Sequence, residues 1–300
     1  MTSVAAPTRS AGTGIRDRLV HRLTGTDVLV CGIVNVTPDS FSDGGHYRDL
    51  SRAVDHAHTL IAEGAELLDI GGESTRPGSR PPSVAEEIAR VVPVIETLAR
   101  TASVPISVDT SRPEVMREAV AVGAVMINDV RALRYPGALD IAAGLQVPVC
   151  LMHMQGEPDS MQLAPRYADV VEEVRGFLLD RVAACRSAGI PLQHIVLDPG
   201  FGFGKTLTHN LELLASLRRV TELGLPLMAG LSRKGMLGAI TGRAVTDRRA
   251  ASVAAAMIAA QNGASILRVH DVAATVDAVA IARAVRDTSA HTTVPQPQLM

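Results

Sequence analysis

From about residue 28 to about residue 285, short apolar runs alternate with longer segments of helical period, the order in which parallel strands and their covering helices follow one another. Two kinds of strand entry recur. In Gly64-Ala65-Glu66-Leu67-Leu68-Asp69, Gly123-Ala124-Val125-Met126-Ile127-Asn128 and Gly263-Ala264-Ser265-Ile266-Leu267-Arg268, an apolar run begins directly after a glycine that ends a helical segment. In Val104-Pro105-Ile106, Val147-Pro148-Val149 and Leu225-Pro226-Leu227, proline opens the run, where its missing N–H costs least. Val28 to Val34 and His194 to Leu197 complete eight strands. Between strands, Leu50, Ala53, Val54, Ala57, Leu60 and Ile61 make one apolar stripe at helical spacing. Ser83, with Glu86 three residues on, forms a capping box ahead of Ile88, Val91 and Val92.

Eight such units fill the chain and leave no room for a second domain. No strand carries a dinucleotide-binding fingerprint, so the expected fold is α/β, a single (β/α)8 barrel of the TIM type rather than a doubly wound sheet. Residues 1–26 are then an N-terminal extension, 27–286 the barrel, and 287–300 a Thr/Pro/Gln-rich tail expected to be disordered. The extension lacks the apolar core of a signal peptide and no segment is long enough to cross a membrane, so a cytoplasmic protein without a membrane partner is expected. Arg16, Arg18 and Arg22 in the extension either cap the barrel bottom or are solvated.

Composition narrows the chemistry. The 300 residues are 47% hydrophobic and 20% charged with a net charge of −2, which suits a large core and gives no broad basic surface; with no Trp, four Phe and three Tyr, few rings exist to stack on bases, and no nucleic-acid partner is expected. Cys31, Cys150 and Cys185 show neither CxxC spacing nor even pairing and are read as buried thiols, not disulfides or zinc ligands.

In barrels of this kind the chemistry sits at the C-terminal strand ends. Here the strands end in Asn35, Asp69, Asp109, Asn128-Asp129, Met152-His153, Asp198, Ser232-Arg233-Lys234, and Arg268 with His270. Asn, Asp and Gly are also common turn formers, and for Asp69 and Asp129 the two readings stand level. Lys234, Arg268 and His270 are not turn residues. Arg268 and His270, two apart on an extended segment, face one side, in the region where barrels hold phosphate, so an anionic, phosphorylated substrate is expected. Asp109 and Asp198 would face inward from opposite parts of the ring, where a carboxylate can accept paired N–H bonds from an amide- or guanidine-like heterocycle.

Three features are read as decoys. Gly200-Phe201-Gly202-Phe203-Gly204-Lys205-Thr206 is one residue short of a phosphate-binding P-loop, and its glycines are expected to let the backbone approach a flat ligand. His56 and His58 point to different sides of a helix and do not make a metal pair. His153, after the fifth strand, is either a ligand or a hydrogen-bonded loop anchor, and the anchor is the favoured reading.

The motifs Gly32-Ile33-Val34-Asn35-Val36-Thr37-Pro38-Asp39-Ser40-Phe41-Ser42-Asp43-Gly44-Gly45, Asp69-Ile70-Gly71-Gly72-Glu73-Ser74-Thr75-Arg76-Pro77-Gly78, Ser107-Val108-Asp109-Thr110, Ile127-Asn128-Asp129, Leu197-Asp198-Pro199-Gly200-Phe201-Gly202-Phe203, Ser232-Arg233-Lys234 and Arg268-Val269-His270 resemble those of the dihydropteroate synthase family of folate biosynthesis, in family order. The resemblance implies that 4-aminobenzoate displaces diphosphate from 6-hydroxymethyl-7,8-dihydropterin diphosphate to give 7,8-dihydropteroate. It implies that Asp109, Asn128, Asp198 and Lys234 hold the pterin, and that Arg268 stacks on the ring while it and His270 meet the diphosphate. Met152, Phe203 and Gly230 belong to the pocket, and Asn35 is the position associated with magnesium (Mg2+). Thr75, Arg76 and Pro77 lie near the aminobenzoate, and the loops carrying Asp43 and Arg76 close over the site.

A cationic transition state at the pterin methylene fits this chemistry: Arg268, His270 and magnesium would stabilise the leaving charge and Asp109 the pterin cation. The catalytic set so implied is Asp43, Arg76, Asp109, Lys234, Arg268 and His270, and the family also implies a homodimer. One departure is Gly235, where many relatives carry a serine that helps hold the aminobenzoate carboxylate; backbone N–H groups at a helix start can still bind that anion, and the departure bears on affinity for sulfonamides. A methyltetrahydrofolate-type methyltransferase barrel and a catalytically idle pterin-binding paralogue are the alternatives. The Ser-Thr-Arg-Pro loop and the cation cluster speak against the first, and Asn35, Asp43, Arg76, Lys234 and His270 against the second.

Overall fold

The computed structural model describes residues 10–37, 45–74, 80–157 and 160–291. Its strands are β1 (Leu29–Asn35), β2 (Leu67–Gly71), β3 (Ile106–Asp109), β4 (Met126–Asp129), β5 (Val149–Met152), β6 (Ile195–Asp198), β7 (Met228–Ala229) and β8 (Ile266–Val269). They pair in parallel in the order β6-β5-β4-β3-β2-β1-β8-β7. A bridge between Leu197 and Leu227, with the Leu197 N–H donating to the Pro226 carbonyl at 2.8 Å, joins the two ends and closes a barrel. Around it run α2 (Gly45–Ala62), α3 (Val84–Thr101), α4 (Pro113–Val122), α5 (Ala138–Leu145), α6 (Val170–Ser187), α7 (Leu207–Ala215), α8 (Leu217–Thr221), α9 (Gly235–Thr241), α10 (Arg249–Gln261) and α11 (Val272–His291). None is long and apolar enough to cross a membrane.

The strand entries behave as the sequence predicts. Pro105, Pro148 and Pro226 each stand just before the ladder or at its first bridge, and each carbonyl accepts from the preceding strand: Leu68 N–H to Pro105, Ile127 to Pro148 and Leu197 to Pro226, at 2.8–3.1 Å. Only the donor that proline lacks is missing, and no paired strand needs it there. Gly123 ends α4 at φ 127° with its N–H on the Ala119 and Val120 carbonyls. The Ser83–Glu86 capping box opens α3 with both reciprocal bonds formed.

Side-chain alternation sorts each strand into two environments. Val30, Val34, Leu68, Ile70, Val108, Ile127, Leu151, Leu197 and Leu267 point outward into the layer beneath the helices, where they join the α2 stripe residues Ala53, Ala57 and Leu60. Cys31, Leu67, Met126, Cys150, Val196, Met228 and Ile266 point inward and form a separate apolar cluster in the lower barrel. All three cysteines are free and buried.

The lower cluster is covered by α1 (Ser10–Leu23), which lies inside the segment read as an extension. Leu19 and Leu23 are buried there, with Ile15 beside them. Arg22 donates to the Asp27 carbonyl and to Glu66, and Arg16 to the Gln146 carbonyl, so these two arginines cap the barrel bottom. At the other end α11 continues to His291. Residues 287–291 are therefore helical and do not belong to the expected disordered tail, because Asp-Thr-Ser-Ala-His offers no helix breaker and the first proline comes at Pro295.

The loop after β6 is pinned from below. Lys205 is 3% exposed, and its three ammonium donors have three acceptors: the Gly200 carbonyl at 2.9 Å, the Phe203 carbonyl at 3.1 Å and His153 Nδ1 at 2.9 Å. Lys205 is thus an internal strut and takes no part in a P-loop. The sequence expectation that these glycines admit a flat ligand needs correcting at Gly200. It has φ 68°, and a Cβ there would sit 1.9 Å from the His153 carbonyl oxygen, so what approaches closely is the neighbouring loop. His153 is the anchor it was read to be.

Two outcomes follow from this packing. Leu19→Ala removes a side chain from the barrel floor and should lower the unfolding free energy in urea by about 3 kcal/mol; an unchanged midpoint would show that α1 does not seal the core. Burial, with Lys205 alongside, lowers the His153 pKa from 6.5 to about 2, so the unfolded chain protonates first. Stability is complete above pH 6.5 and falls as pH drops through that value, and this residue alone should account for about 2 kcal/mol by about pH 5. His153→Asn, which keeps an acceptor for Lys205 without a titrating ring, should flatten that part of the pH–stability curve.

Candidate active site

The C-terminal ends of the strands surround a cavity of about 910 Å³. Asn35 at the end of β1, Asp109 of β3, Asn128 of β4, Met152 of β5, Asp198 of β6 and Arg268 of β8 all line it, as do Phe203, Gly230, Lys234 and His270 from the following loops. They were singled out from different parts of the chain, and the closed barrel brings them to one opening. Asp43, Thr75, Arg76 and Pro77 lie outside the described residues.

One arc of the wall presents acceptors. Asp198 is buried, and its Oδ1 accepts the Gly200 N–H at 2.7 Å, which leaves Oδ2 for a ligand. Burial raises this carboxyl's pKa even with the Gly200 N–H and Lys234 beside it. Asn128 gives its Nδ2 to Asp69 Oδ2 at 2.9 Å, so its Oδ1 is the atom free to accept. Between the arcs Lys234 holds its ammonium 4.1 Å from the centre of the Phe203 ring, within cation–π range. Burial lowers the Lys234 pKa to about 8, with Asp198 pulling the other way, so it remains mainly charged at neutral pH. Met152 and Phe203 pack with Val130, Met154 and Met161 in a small apolar cluster of their own, a wall for a flat ring.

The opposite arc carries cations. Arg268 spans two carboxylates, with Nε 2.6 Å from Asp69 Oδ2 and Nη2 2.8 Å from Asp109 Oδ2. Burial works against its charge, yet Asp69 and Asp109 keep its pKa above the ordinary value. Burial also pushes the Asp109 carboxyl up, against the pull of Arg268, because one guanidinium serves two acids. His270 stands in the same arc, its backbone N–H donating to Ser232 Oγ at 3.2 Å and its Nδ1 3.0 Å from that oxygen; this contact leaves Nε2 for the cavity. Burial first, then Arg233 and Arg268, lower the His270 pKa to about 4, so the ring is neutral until an anion arrives. Arg233, at φ 58°, is committed elsewhere: it pairs bidentately with Asp271 at 2.8 and 3.2 Å and ties the loops after β7 and β8 together. Gly235 opens α9, lines the cavity and has open space where a Cβ would stand.

The structure separates the two acids whose readings stood level. Asp129 points away from the cavity and accepts from Ser111 and from the Arg131 and Leu133 N–H groups, which is the turn-forming role. Asp69 points into the barrel and binds Arg268 and Asn128. Sequence reasoning left out Asp69 and Ser232 as site residues. The signal for Asp69 was strand phase, since it shares the inward phase of Leu67; Ser232 stood among the polar strand ends, but its partner His270 lies 38 residues on and only the fold brings the two together. His56 is exposed and His58 contacts Thr101 on the outer side of the helix layer, away from the cavity.

Comparison with known proteins agrees with this geometry. Residues 31–270 match the model of the family described as pterin binding enzyme. The chain is 53% identical over 255 residues to dihydropteroate synthase of Escherichia coli strain K12, covering 85% of this chain and 90% of that one. Among solved structures, dihydropteroate synthase of Xanthomonas albilineans with 4-aminobenzoic acid superposes with a TM-score of 0.83 at 57% identity, over 87% of this chain and 93% of that one. The same enzyme in complex with 7,8-dihydropteroate gives 0.80 at 55%, over 87% and 94%. A barrel whose strand ends carry this ring of acids, amide and cations, and which matches those relatives along most of its length, belongs to the dihydropteroate synthase family of pterin-binding enzymes.

Proposed function

We propose that this chain joins 6-hydroxymethyl-7,8-dihydropterin diphosphate to 4-aminobenzoate, giving 7,8-dihydropteroate and diphosphate. The observation that carries the reading is one cavity with acceptors on the β4–β6 side and cations on the β7–β8 side, the arrangement needed by a ring rich in N–H donors that bears an anionic leaving group. Similarity to enzymes solved with 4-aminobenzoate and with dihydropteroate supports it.

In this reading Asp198 Oδ2 and Asn128 Oδ1 accept from the amino-pyrimidine edge of the pterin. Lys234 donates to the ring's polar edge, and Met152 and Phe203 flank its faces. The bond from the methylene carbon to the diphosphate oxygen breaks with its electron pair leaving on oxygen. The aminobenzoate nitrogen then supplies the pair for the new C–N bond and afterwards loses a proton. Arg268 and neutral His270 stabilise the departing charge, and a carboxylate at Asp109 favours positive charge on the dihydropterin. Asp43, Thr75, Arg76 and Pro77 belong to the aminobenzoate side, and closure of their loops excludes water. The Gly235 N–H is available to the aminobenzoate carboxylate.

Magnesium fits the donor set. Among the described residues no three His, Cys, Asp or Glu side chains gather as a cage, and the Asn35 amide lines the cavity; magnesium keeps most of its waters and takes phosphate oxygens, so one protein oxygen suffices. When bound it would neutralise charge on the leaving diphosphate. The same reading implies a cytoplasmic protein that acts as a homodimer.

Purified protein incubated with the dihydropterin diphosphate, magnesium and labelled 4-aminobenzoate should release dihydropteroate and diphosphate in equal amounts. No product above background refutes the activity, and pterin binding without turnover identifies the idle paralogue instead. In calorimetry Asp198→Ala should weaken pterin binding by about tenfold to a hundredfold, the worth of a hydrogen bond to a charged group, while Arg76→Ala leaves it nearly intact; equal losses would overturn the division between pterin and aminobenzoate sides.

A further inference from the structure

Asp69 lies one layer deeper in the barrel than Asp109: in parallel register it stands beside Ser107, whereas Gly71 stands beside Asp109. It is fully buried. Its Oδ2 carries both bonds, to Arg268 Nε at 2.6 Å and Asn128 Nδ2 at 2.9 Å. Oδ1 and the neighbouring Ser107 Oγ have no partner among the described residues. Stability alone does not favour such a group, since buried ion pairs are often matched or bettered by apolar side chains of similar volume.

What Asp69 touches is more telling. Both of its partners line the ligand cavity, and each has a freedom that Asp69 removes. A guanidinium held at Nη2 by Asp109 alone could pivot about that bond; the second bond at Nε fixes its plane. An Asn amide can present either its oxygen or its NH2 group. An ionised carboxylate only accepts, so it takes the Asn128 NH2 and turns the oxygen to the cavity.

We propose that Asp69 is a positioning residue of the pterin subsite, fixing the plane of Arg268 and turning the acceptor oxygen of Asn128 toward the N–H edge of the ligand. This deepens the functional reading above and rests on it. Asp69 also makes Asn128 selective, because a ring offering an acceptor at that point would meet an oxygen that cannot swing away.

The charge has its own consequence. Asp109 faces Arg268 from β8 and Asp69 from β2; the charges of Asp129 on β4 and Glu87 on α3 also reach it through the barrel wall, and the buried thiols Cys31 and Cys150 and the ammonium of Lys234 are near. Burial sets its raised pKa of about 8, with Arg268 opposing and Asp69 adding to the rise. Neutralising Asp69 leaves Arg268 to Asp109 alone, and the Asp109 pKa falls.

The test uses the full chain with two substitutions. In Asp69→Asn the amide oxygen can keep both bonds while the charge is gone. The acid limb of kcat/KM for the dihydropterin diphosphate should move to lower pH by about one unit, with pterin affinity largely kept. In Asp69→Ala both bonds are gone. Its kcat and pterin affinity by calorimetry should fall by about tenfold to a hundredfold, as when the partner that orients a ligating side chain is removed, while KM for 4-aminobenzoate stays within about twofold. Recovery of pterin affinity in Asp69→Asn relative to Asp69→Ala supports positioning.

An acid limb that stays in place in Asp69→Asn overturns the proposal, as does wild-type pterin affinity in Asp69→Ala. If Asp69→Ala does not fold, by circular dichroism, the acid limb of Asp69→Asn decides. If the wild-type protein makes no dihydropteroate, the functional reading fails, and pterin calorimetry on the wild type and both variants still decides the role of Asp69.

Discussion

Closure of eight parallel strands on themselves is the constraint from which the rest of the molecule follows. A closed sheet sends every second side chain into a narrow interior and the others under a ring of helices. The interior has room for an apolar layer, built on Cys31, Leu67, Met126, Val196 and Ile266, and above it a layer that reaches the barrel mouth. In that upper layer the same inward phase delivers Asp69, Asp109, Asn128, Asp198 and Arg268. The bridge at Leu197 and Leu227 that joins β6 to β7 therefore also sets the distance between the carboxylate of one arc and the cations of the other.

An upper layer of this kind is electrostatically unsettled without a ligand. Two acids, Asp69 and Asp109, share one guanidinium, while Asp198 and Lys234 face the cavity with part of their hydrogen-bonding capacity unused. Burial displaces each group away from its charged form: Asp109 and Asp198 upward, Lys234 and His270 downward. A dihydropterin with an N–H edge and an anionic tail supplies what both arcs lack, and a cavity organised beforehand need not rearrange as charge develops on the leaving group. The surrounding loops hold this state in place. The Lys205 strut and the Arg233–Asp271 pair are not aimed at a ligand; they keep the rim rigid enough for the groups that are.

Much of this was legible along the chain. Proline and glycine at strand entries marked the eight strands because the chemistry there is local: a missing donor, a left-handed backbone. The polar strand ends pointed to the barrel mouth because period-two alternation carries inward phase along a strand. The same local logic failed for α1, whose Ile15, Leu19 and Leu23 stripe is short and has meaning only against a floor built from strands far along the chain. It failed for Gly200, where the close neighbour is a backbone 47 residues earlier and not a ligand. It left Asp69 level with Asp129, since both are acids at the end of an apolar run and only strand phase, inward for Asp69 with Leu67 and outward for Asp129 with Ile127, separates them.

By itself, then, the sequence determined the architecture, the set of residues at the strand ends, and, through long motifs resembling one family, the chemistry to expect of them. Tertiary structure alone decided which acid serves the site and which the turn, that Lys205 is a strut, and that Arg268 divides itself between Asp69 and Asp109. The reason is physical. Strand and helix signals arise from interactions a few residues apart, whereas a buried charge takes its role from whatever closure places within about 3 Å of it, and the partners that Asp69, Asp109, Asn128 and Arg268 find in one another lie 59 to 199 residues apart.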